Sequence, residues 1–443
     1  MTELAQRVEG STAREIAASL EAAIRQGHLA PGAPLPSVRH LAASLGVSPP
    51  TVAAALADLR RRGVILTHAR RRSTVSPRPP VGVNLAEPTL PTHVRDLARG
   101  NPDPDLLPDL APFLAHLPTA ARLYGDEPLD PRLPELARAE FAEAGVEAED
   151  VCLASGALDG VERALAAHLV PGDRVIVEDP GYFAVFDLLR AMSLEPVPVP
   201  IDSRGPLPNA LEARLRAAAG AQALVLTPRA QNPTGAALDG ERAAALRRVL
   251  RAAPDLLVVE DDHQGPIAGA AGHTLSRGRR RWAVVRSVAK SLGPDLRLAY
   301  LAGDPETIAR IEGRLALGPG WVSHLLQSLV VDLLSAPTVR ELLLQAEATY
   351  ARRRADLLSA LAEQGLAASG RSGFNVWVEV PDETGVVSRL LQAGWAVAPG
   401  ARYRLNSPPA IRVTTSALPE SLASAFAAAL AEAMPRPRRS RAA

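Results

Sequence analysis

Apolar residues recur every three to four positions over residues 12–26, where Ile16, Leu20, Ala23 and Ile24 share one face. That spacing predicts an amphipathic helix, ended by Gly27 and Pro31-Gly32. The chain restarts at Leu35-Pro36-Ser37, with Ser37 placed to cap a short helix that carries Val38, Leu41 and Leu45 on one side. Gly46-Val47-Ser48 makes a tight turn, and Ser48 caps a third helix. Its first positions are Pro49 and Pro50, where the missing amides have no partner in any case. Val52, Ala55, Leu56 and Leu59 form its buried stripe, and two short apolar runs, Val64-Ile65-Leu66 and Thr74-Val75, then flank Arg70-Arg71-Arg72. Helix, glycine turn, helix and hairpin make a winged helix-turn-helix over residues 10–78. Its second helix is built to enter a major groove, so double-stranded DNA is the expected partner.

Prolines 77, 79, 80, 88 and 91 follow without apolar periodicity, which predicts a semi-rigid linker over residues 79–97. From residue 98 the texture changes. Short apolar runs at Arg174–Val177, Ala223–Thr227, Leu256–Glu260, Ala283–Arg286 and Leu298–Leu301 alternate with helices rich in Ala, Leu and Arg. The alternation predicts a mostly parallel sheet covered by helices, with ligands bound beyond the carboxyl ends of its strands. Phe374–Val380, Trp395–Pro399 and Ile411–Thr415 suggest a smaller α/β part. The body is therefore expected over residues 98–435, as a large part (98–330) and a small part (331–435). Arg436, Arg438, Arg439 and Arg441 end the chain in a basic tail, 436–443.

Composition changes this picture in three places. Cys152 is the only cysteine among 443 residues, which excludes internal disulfides and fits a reducing cytoplasm. There is no charged-then-apolar leader and no run of 18 apolar residues, so neither export nor a membrane partner is expected. The net charge of +1 conceals an asymmetry: residues 1–80 hold 11 Arg against 5 acidic residues, the basic surplus a polyanion needs.

A further point concerns a single residue. Of 49 basic residues, Lys290 is the only lysine. Arg keeps its proton near neutrality, whereas a desolvated Lys becomes a neutral amine able to condense with an aldehyde. Ser287 lies three residues before Lys290, one helical turn if the stretch is helical, and Arg297 seven after it. The pair is suited to holding a phosphate.

The run Leu35-Pro36-Ser37-Val38-Arg39-His40-Leu41-Ala42, with Leu45-Gly46-Val47-Ser48, resembles the core of the GntR-type winged-helix repressors. The resemblance implies DNA contacts from Ser37, Arg39, Ser48, Thr51, Arg70, Arg71 and Arg72. Pro49 stands where that family usually has Arg, so one customary contact is missing.

Further on, Ser155-Gly156-Ala157-Leu158-Asp159, Glu178-Asp179-Pro180-Gly181-Tyr182, Gln231-Asn232-Pro233-Thr234-Gly235, Glu260-Asp261-Asp262-His263 and the segment around Lys290 follow the order of the fold-type-I aminotransferases, which bind pyridoxal 5′-phosphate (PLP). The resemblance implies that Lys290 carries PLP as a Schiff base. It gives the phosphate to Gly156, Ala157, Leu158, Ser287 and Arg297, and a stacking role to Tyr182. Asn232 would bond the phenolic oxygen and Asp261 the ring nitrogen, while Tyr124 would reach the phosphate of a neighbouring subunit. Arg412 matches the arginine that clamps an α-carboxylate. No metal site is expected.

A GntR-like domain, a linker and an aminotransferase-like body together resemble the MocR subfamily of bacterial regulators over nearly the whole chain. This implies a homodimer on operator DNA that responds to a small effector, PLP or an amino compound. His263 stands where most of that subfamily has Tyr, and Asn232 where many members carry an aromatic. A side chain that titrates near neutrality would supply Tyr's hydrogen bond in one protonation state only. Gly100-Asn101-Pro102-Asp103-Pro104, Asp261-Asp262-His263 and Gly320-Trp321-Val322-Ser323 are similar to a branch linked with control of vitamin B6 salvage. The competing reading is a working aminotransferase that carries a DNA-binding arm.

Overall fold

The computed structural model describes residues 8–25, 28–30, 32–61, 64–66, 73–75, 90–217 and 220–435. The chain divides into two compact units, one of residues 1–88 with 170–175 and 184–196, the other of the remainder.

In the N-terminal region the helices fall within a residue or two of their expected places. The first, Ala13–Arg25, starts where the Glu15 carboxylate accepts from the amides of Ser11 and Thr12, at 2.9 and 3.2 Å. Ser37 Oγ accepts from His40 N at 3.2 Å and caps Val38–Leu45. Gly46, at φ 67°, closes that helix in a left-handed conformation that glycine adopts without steric cost. Ser48 Oγ accepts from Thr51 N at 3.3 Å and opens Pro49–Arg61. β1 (Ile65–Leu66) and β2 (Thr74–Val75) form the antiparallel wing, and Leu35 N donates to Ser73 O at 2.7 Å along its edge. Ile16, Leu20, Leu35, Leu41, Val52, Leu59, Ile65 and Val75 are all buried in one core. Each fully buried side chain of this size contributes about 1.5–3 kcal/mol.

The body is built on two sheets. Eight strands form the larger, in the order β4-β11-β10-β9-β8-β5-β6-β7. Their ranges are β4 Asp150–Ala154, β5 Arg174–Asp179, β6 Glu195–Asp202, β7 Gly205–Pro206, β8 Ala221–Leu226, β9 Leu257–Asp262, β10 Trp282–Ser287 and β11 Ala299–Gly303. The smaller has the order β12-β13-β15-β14-β3, from β3 Arg95–Leu97, β12 Ala368–Ser369, β13 Asn375–Glu379, β14 Trp395–Pro399 and β15 Ala410–Thr414. The helix Pro337–Glu363 serves both cores. It places Leu343 and Tyr350 against the main sheet's cluster, and Leu357 and Leu361 among Val376, Trp395 and Phe426. Among the described residues no helix is long and apolar enough to cross a membrane.

The large sheet is mixed, with β9 parallel to β8 and β10 and with β11 antiparallel to both of its neighbours, β10 and β4. The link from Ser287 to Ala299 is too short for the crossover of a dozen or more residues that a parallel return requires. The linker expected over 79–97 is too long at its end. Arg95–Leu97 is β3, parallel to β14, with Leu97 buried beside Trp395 and Val397. Residues 79–89 of that linker, and the tail 436–443, lie outside the described residues.

Candidate ligand site

Strand direction decides which side chains meet. β9 runs parallel to β8 and β10, and two reversals through β11 leave β4 running with β10. The carboxyl ends of β4, β8, β9 and β10 therefore share one edge, and β11 begins there. Ala299 at the start of β11 pairs with Ala154 on one side and Ser287 on the other. This register draws Ser155, Ser287 and Arg297 together from segments far apart in sequence.

At that junction the helix Ala157–Ala166 begins with Gly156 at φ 102°. A Cβ on Gly156 would lie 2.6 Å from Arg297 Nη2, and Arg297 Nη2 donates to Ser155 O at 3.1 Å. Arg297 itself has φ 45°, a left-handed backbone rare for a residue with a side chain. The first helical turn opens at Ala157 and Leu158, with the Arg297 guanidinium close against Gly156. Amides at a helix start beside a guanidinium suit an anion.

Lys290 follows β10 in a turn rather than a helix, so Ser287 is not stacked one helical turn below it. Its Nζ donates to the Gly100 carbonyl at 2.5 Å. Burial, and then the Arg412 charge, bring its amine down to about 8. Asp261, one residue from the end of β9, is buried, and its Oδ1 has no hydrogen-bond partner among the described residues. Burial first and Asp262 second push its carboxyl up to about 7. At His263, burial, reinforced by Lys290, lowers the imidazole to about 4.

Arg412, on β15, is buried and directed by three contacts. Nη1 donates to Asn232 Oδ1 at 3.0 Å, Nη2 donates to the Ala98 carbonyl, and the guanidinium lies 4.8 Å from the Tyr403 ring centre. Its Nε is buried without a partner among the described residues. Because Asn232 Oδ1 is engaged, its NH2 is left to donate elsewhere. Tyr182 packs edge-on to Phe183, with ring centres 5.1 Å apart, and Gly181 N donates to Tyr403 O at 2.7 Å. Burial, and then Asp261, push the Tyr182 phenol up to about 12, so it remains protonated. The Asp179 carboxylate fixes the facing loop by accepting from the amides of Leu405, Asn406 and Ser407, at 2.9, 2.7 and 3.1 Å.

Of the remaining expected residues, some lie outside the described residues. Tyr124 is 96% exposed and packs edge-on against Trp321, ring centres 5.6 Å apart. In the N-terminal unit Ser37, Arg39 and Ser48 are exposed, and Ser48 Oγ and Thr51 Oγ1 lie 2.7 Å apart. Arg70, Arg71 and Arg72 lie outside the described residues.

Sequence reasoning missed three features. Glu178 is buried with Oε1 unpartnered, its carboxyl pushed up to about 8 chiefly by burial. The Gly100 and Ala98 carbonyls hold the two site cations, yet backbone acceptors leave no trace in residue type. Asp262 forms buried ion pairs with Arg229 and Arg286, at 2.9 and 2.6 Å. Strand alternation was the available signal there, because neighbours on β9 must face opposite sides.

Comparison with known proteins agrees with this geometry. Residues 92–430 match the family of aminotransferases class I and II, and residues 12–75 match bacterial regulatory proteins of the gntR family. The chain is 39% identical over 433 residues to the vitamin B6 salvage pathway transcriptional repressor PtsJ of Salmonella typhimurium, covering 97% of this chain and 100% of that one. It is 32% identical over 252 residues to the HTH-type pyridoxine biosynthesis transcriptional regulator PdxR of Corynebacterium glutamicum, 54% of this chain and 53% of that one. The crystal structure of Pyrococcus horikoshii kynurenine aminotransferase superposes with a TM-score of 0.71 at 22% identity, over 77% of this chain and 91% of the other. At that identity the likeness is one of fold.

Proposed function

Because the chain belongs to the aminotransferase class I and II family and carries a gntR-family regulatory domain at residues 12–75, we propose that it is a DNA-binding transcriptional regulator whose PLP site acts as the sensor. The observation that carries this reading is the pairing, in one chain, of a winged helix with a site built around the only lysine. The residues fit the cofactor on their own chemistry. Asp261 Oδ1 is a buried acceptor lacking a donor, as a protonated ring nitrogen requires, and Gly156 keeps open an anion cradle beside Arg297. PLP supplies an aldehyde and an electron-withdrawing pyridine ring.

In this reading Lys290 takes the aldehyde, its amine already brought near neutrality by burial. Asp261 holds the proton at the ring nitrogen, Tyr182 covers the ring, and Asn232 donates to the phenolic oxygen. Gly156, Ala157, Leu158, Ser287 and Arg297 hold the phosphate. Arg412, with Nε free, receives a carboxylate when the effector is an amino compound. Exposed Tyr124, with Leu123, Leu317 and Leu325 also exposed, supports a homodimer in which Tyr124 reaches the partner's site. Exposed Arg39 and Ser37, with Ser48, Thr51 and Arg70–Arg72, form the DNA-reading side. Similarity to PtsJ supports vitamin B6 metabolism as the target, and a single buried cysteine suits a cytoplasmic protein.

A ligand shifts DNA binding only if it favours one arrangement of the dimer over the other. Operator affinity should therefore change with PLP by about 5–150-fold, the usual span of an allosteric coupling. A DNA titration with and without PLP, run beside a stopped-flow search for transamination, tests this. Unchanged affinity combined with turnover at roughly 1–1000 per second would establish the aminotransferase reading instead.

A further inference from the structure

The segment 98–100 is anchored on both flanks, and its carbonyls are held by the two cations of the ligand site. Upstream, β3 lies beside β14, and Arg95 N donates to Gly394 O at 2.8 Å. Downstream, Ser416 Oγ donates to Asn101 O at 2.6 Å, Asp103 N donates to the Tyr350 hydroxyl at 3.0 Å, and Arg353 pairs with the Asp103 carboxylate at 2.7 Å. Between these anchors Lys290 Nζ donates to the Gly100 carbonyl, and Arg412 Nη2 to the Ala98 carbonyl. The amides of Ala98 and Arg99 turn back on the Asp96 carboxylate, at 2.9 and 3.1 Å, so these two donors are used locally while the Ala98 and Gly100 acceptors depend on the site.

We propose that residues 98–100 are a latch through which the chemical state of Lys290 is passed to the chain that leads back to the DNA-binding domain. The proposal rests on the reading that Lys290 receives PLP. When a lysine amine condenses with an aldehyde, a nitrogen–carbon bond forms. The carbonyl oxygen leaves with two amine protons as water, and a C=N bond remains. The nitrogen that donated to Gly100 O then keeps at most one proton. Gly100 O, part-buried, then loses a donor, and the segment is released to find another. An anionic group arriving at Arg412 acts in the same sense, because it competes with Ala98 O for the same guanidinium. The first structured element reached upstream is β3, and residues 76–94 join it to β2 of the wing. Both ligand-binding cations thus touch the stretch of body that follows the linker in sequence.

The test uses the full chain and measures amide hydrogen exchange over 95–101 together with operator affinity. Its arms are the wild type alone, with saturating PLP, and with saturating 4-deoxypyridoxine 5′-phosphate, which offers ring and phosphate but no aldehyde. A fourth arm is ligand-free Lys290→Met. PLP and Lys290→Met should each raise exchange over 95–101 by at least about fivefold and shift operator affinity in the same direction, within the span usual for such coupling. The deoxy compound should leave both near the ligand-free values. The latch is overturned if the deoxy compound reproduces the PLP effect, or if Lys290→Met matches the ligand-free wild type. If Lys290→Met does not fold, the two ligands on the wild type decide the matter alone. Exchange that rises with PLP while operator affinity stays fixed refutes transmission to DNA yet spares the cofactor assignment. Absence of any PLP absorbance band defeats the assignment and the latch with it.

Discussion

Asp261 and Asp262 are adjacent on β9 and ionise in opposite directions. Burial and its neighbour raise Asp261 to about 7 with one oxygen unpartnered. Burial opposes charge on Asp262 as well, but Arg286 and Arg229 outweigh it and hold that carboxyl well below the usual range. One aspartate is fully compensated and structural, and the other is left wanting a proton donor. Alternation along a strand produces this division, since side chains one residue apart point to opposite faces of the sheet.

Asp261→Asn should therefore stabilise the ligand-free protein at pH 8 while weakening its response to PLP. The wild-type carboxyl is raised from 3.8 to about 7, so the native state keeps a proton that the unfolded chain releases. The stability this contributes is fully present below pH 4 and is lost as pH rises through 7. Three pH units correspond to roughly 4 kcal/mol at most, with 2–4 a reasonable span for a buried group. Urea denaturation of wild type and variant at pH 4.5 and pH 8 measures it. A difference that does not grow with pH would mean Asp261 is ionised and paired.

Lys290→Ala should bind PLP weakly, show no absorbance band near the visible edge, and yield no borohydride-fixed adduct. No other lysine exists in the chain to take its place. A variant that remains yellow and reducible would contradict the assignment.

Gly156→Ala should leave the fold intact but weaken PLP binding tenfold or more, because the new methyl would sit 2.6 Å from Arg297 Nη2. The positive φ adds backbone strain of about 1–3 kcal/mol. Fluorescence titration with PLP measures the affinity. Wild-type affinity would remove the cradle from the phosphate site.

DNA affinity should reside in residues 10–78 and fall steeply with salt, because phosphate neutralisation releases counterions. Arg39→Ala, and a triple Ala change at Arg70, Arg71 and Arg72, should weaken operator binding and leave the PLP spectrum unchanged. Anisotropy titrations between 50 and 200 mM salt, roughly the range over which such contacts lose most affinity, report both effects. A fragment beginning near residue 90 that still bound the operator would refute the assignment.

The parts of this protein legible in sequence are those where residue type is the message. Helix periodicity and the capping serines located the winged helix to within a residue or two. The lone lysine singles out the proposed site because no other residue type does its chemistry. What stayed hidden depends on geometry between distant segments. The strand Asp150–Ala154 carries only a short apolar run, and its pairing with β11 is set by the turn before Ala299. The acceptors at Ala98 and Gly100 are backbone atoms, common to every residue. The lowering of His263 comes from burial and from Lys290, neither of which shows in composition.

The pairing of β3 with β14 also sets an order of events during synthesis. Arg95 takes its place beside Trp395, three hundred residues later in the chain. At about 5–20 residues per second, the first strand of the body waits tens of seconds for its neighbour to leave the ribosome. By then the winged helix, whose core is drawn from residues 8–75, has long been free to fold. A message that ends before residue 395 thus leaves β3 without its partner strand.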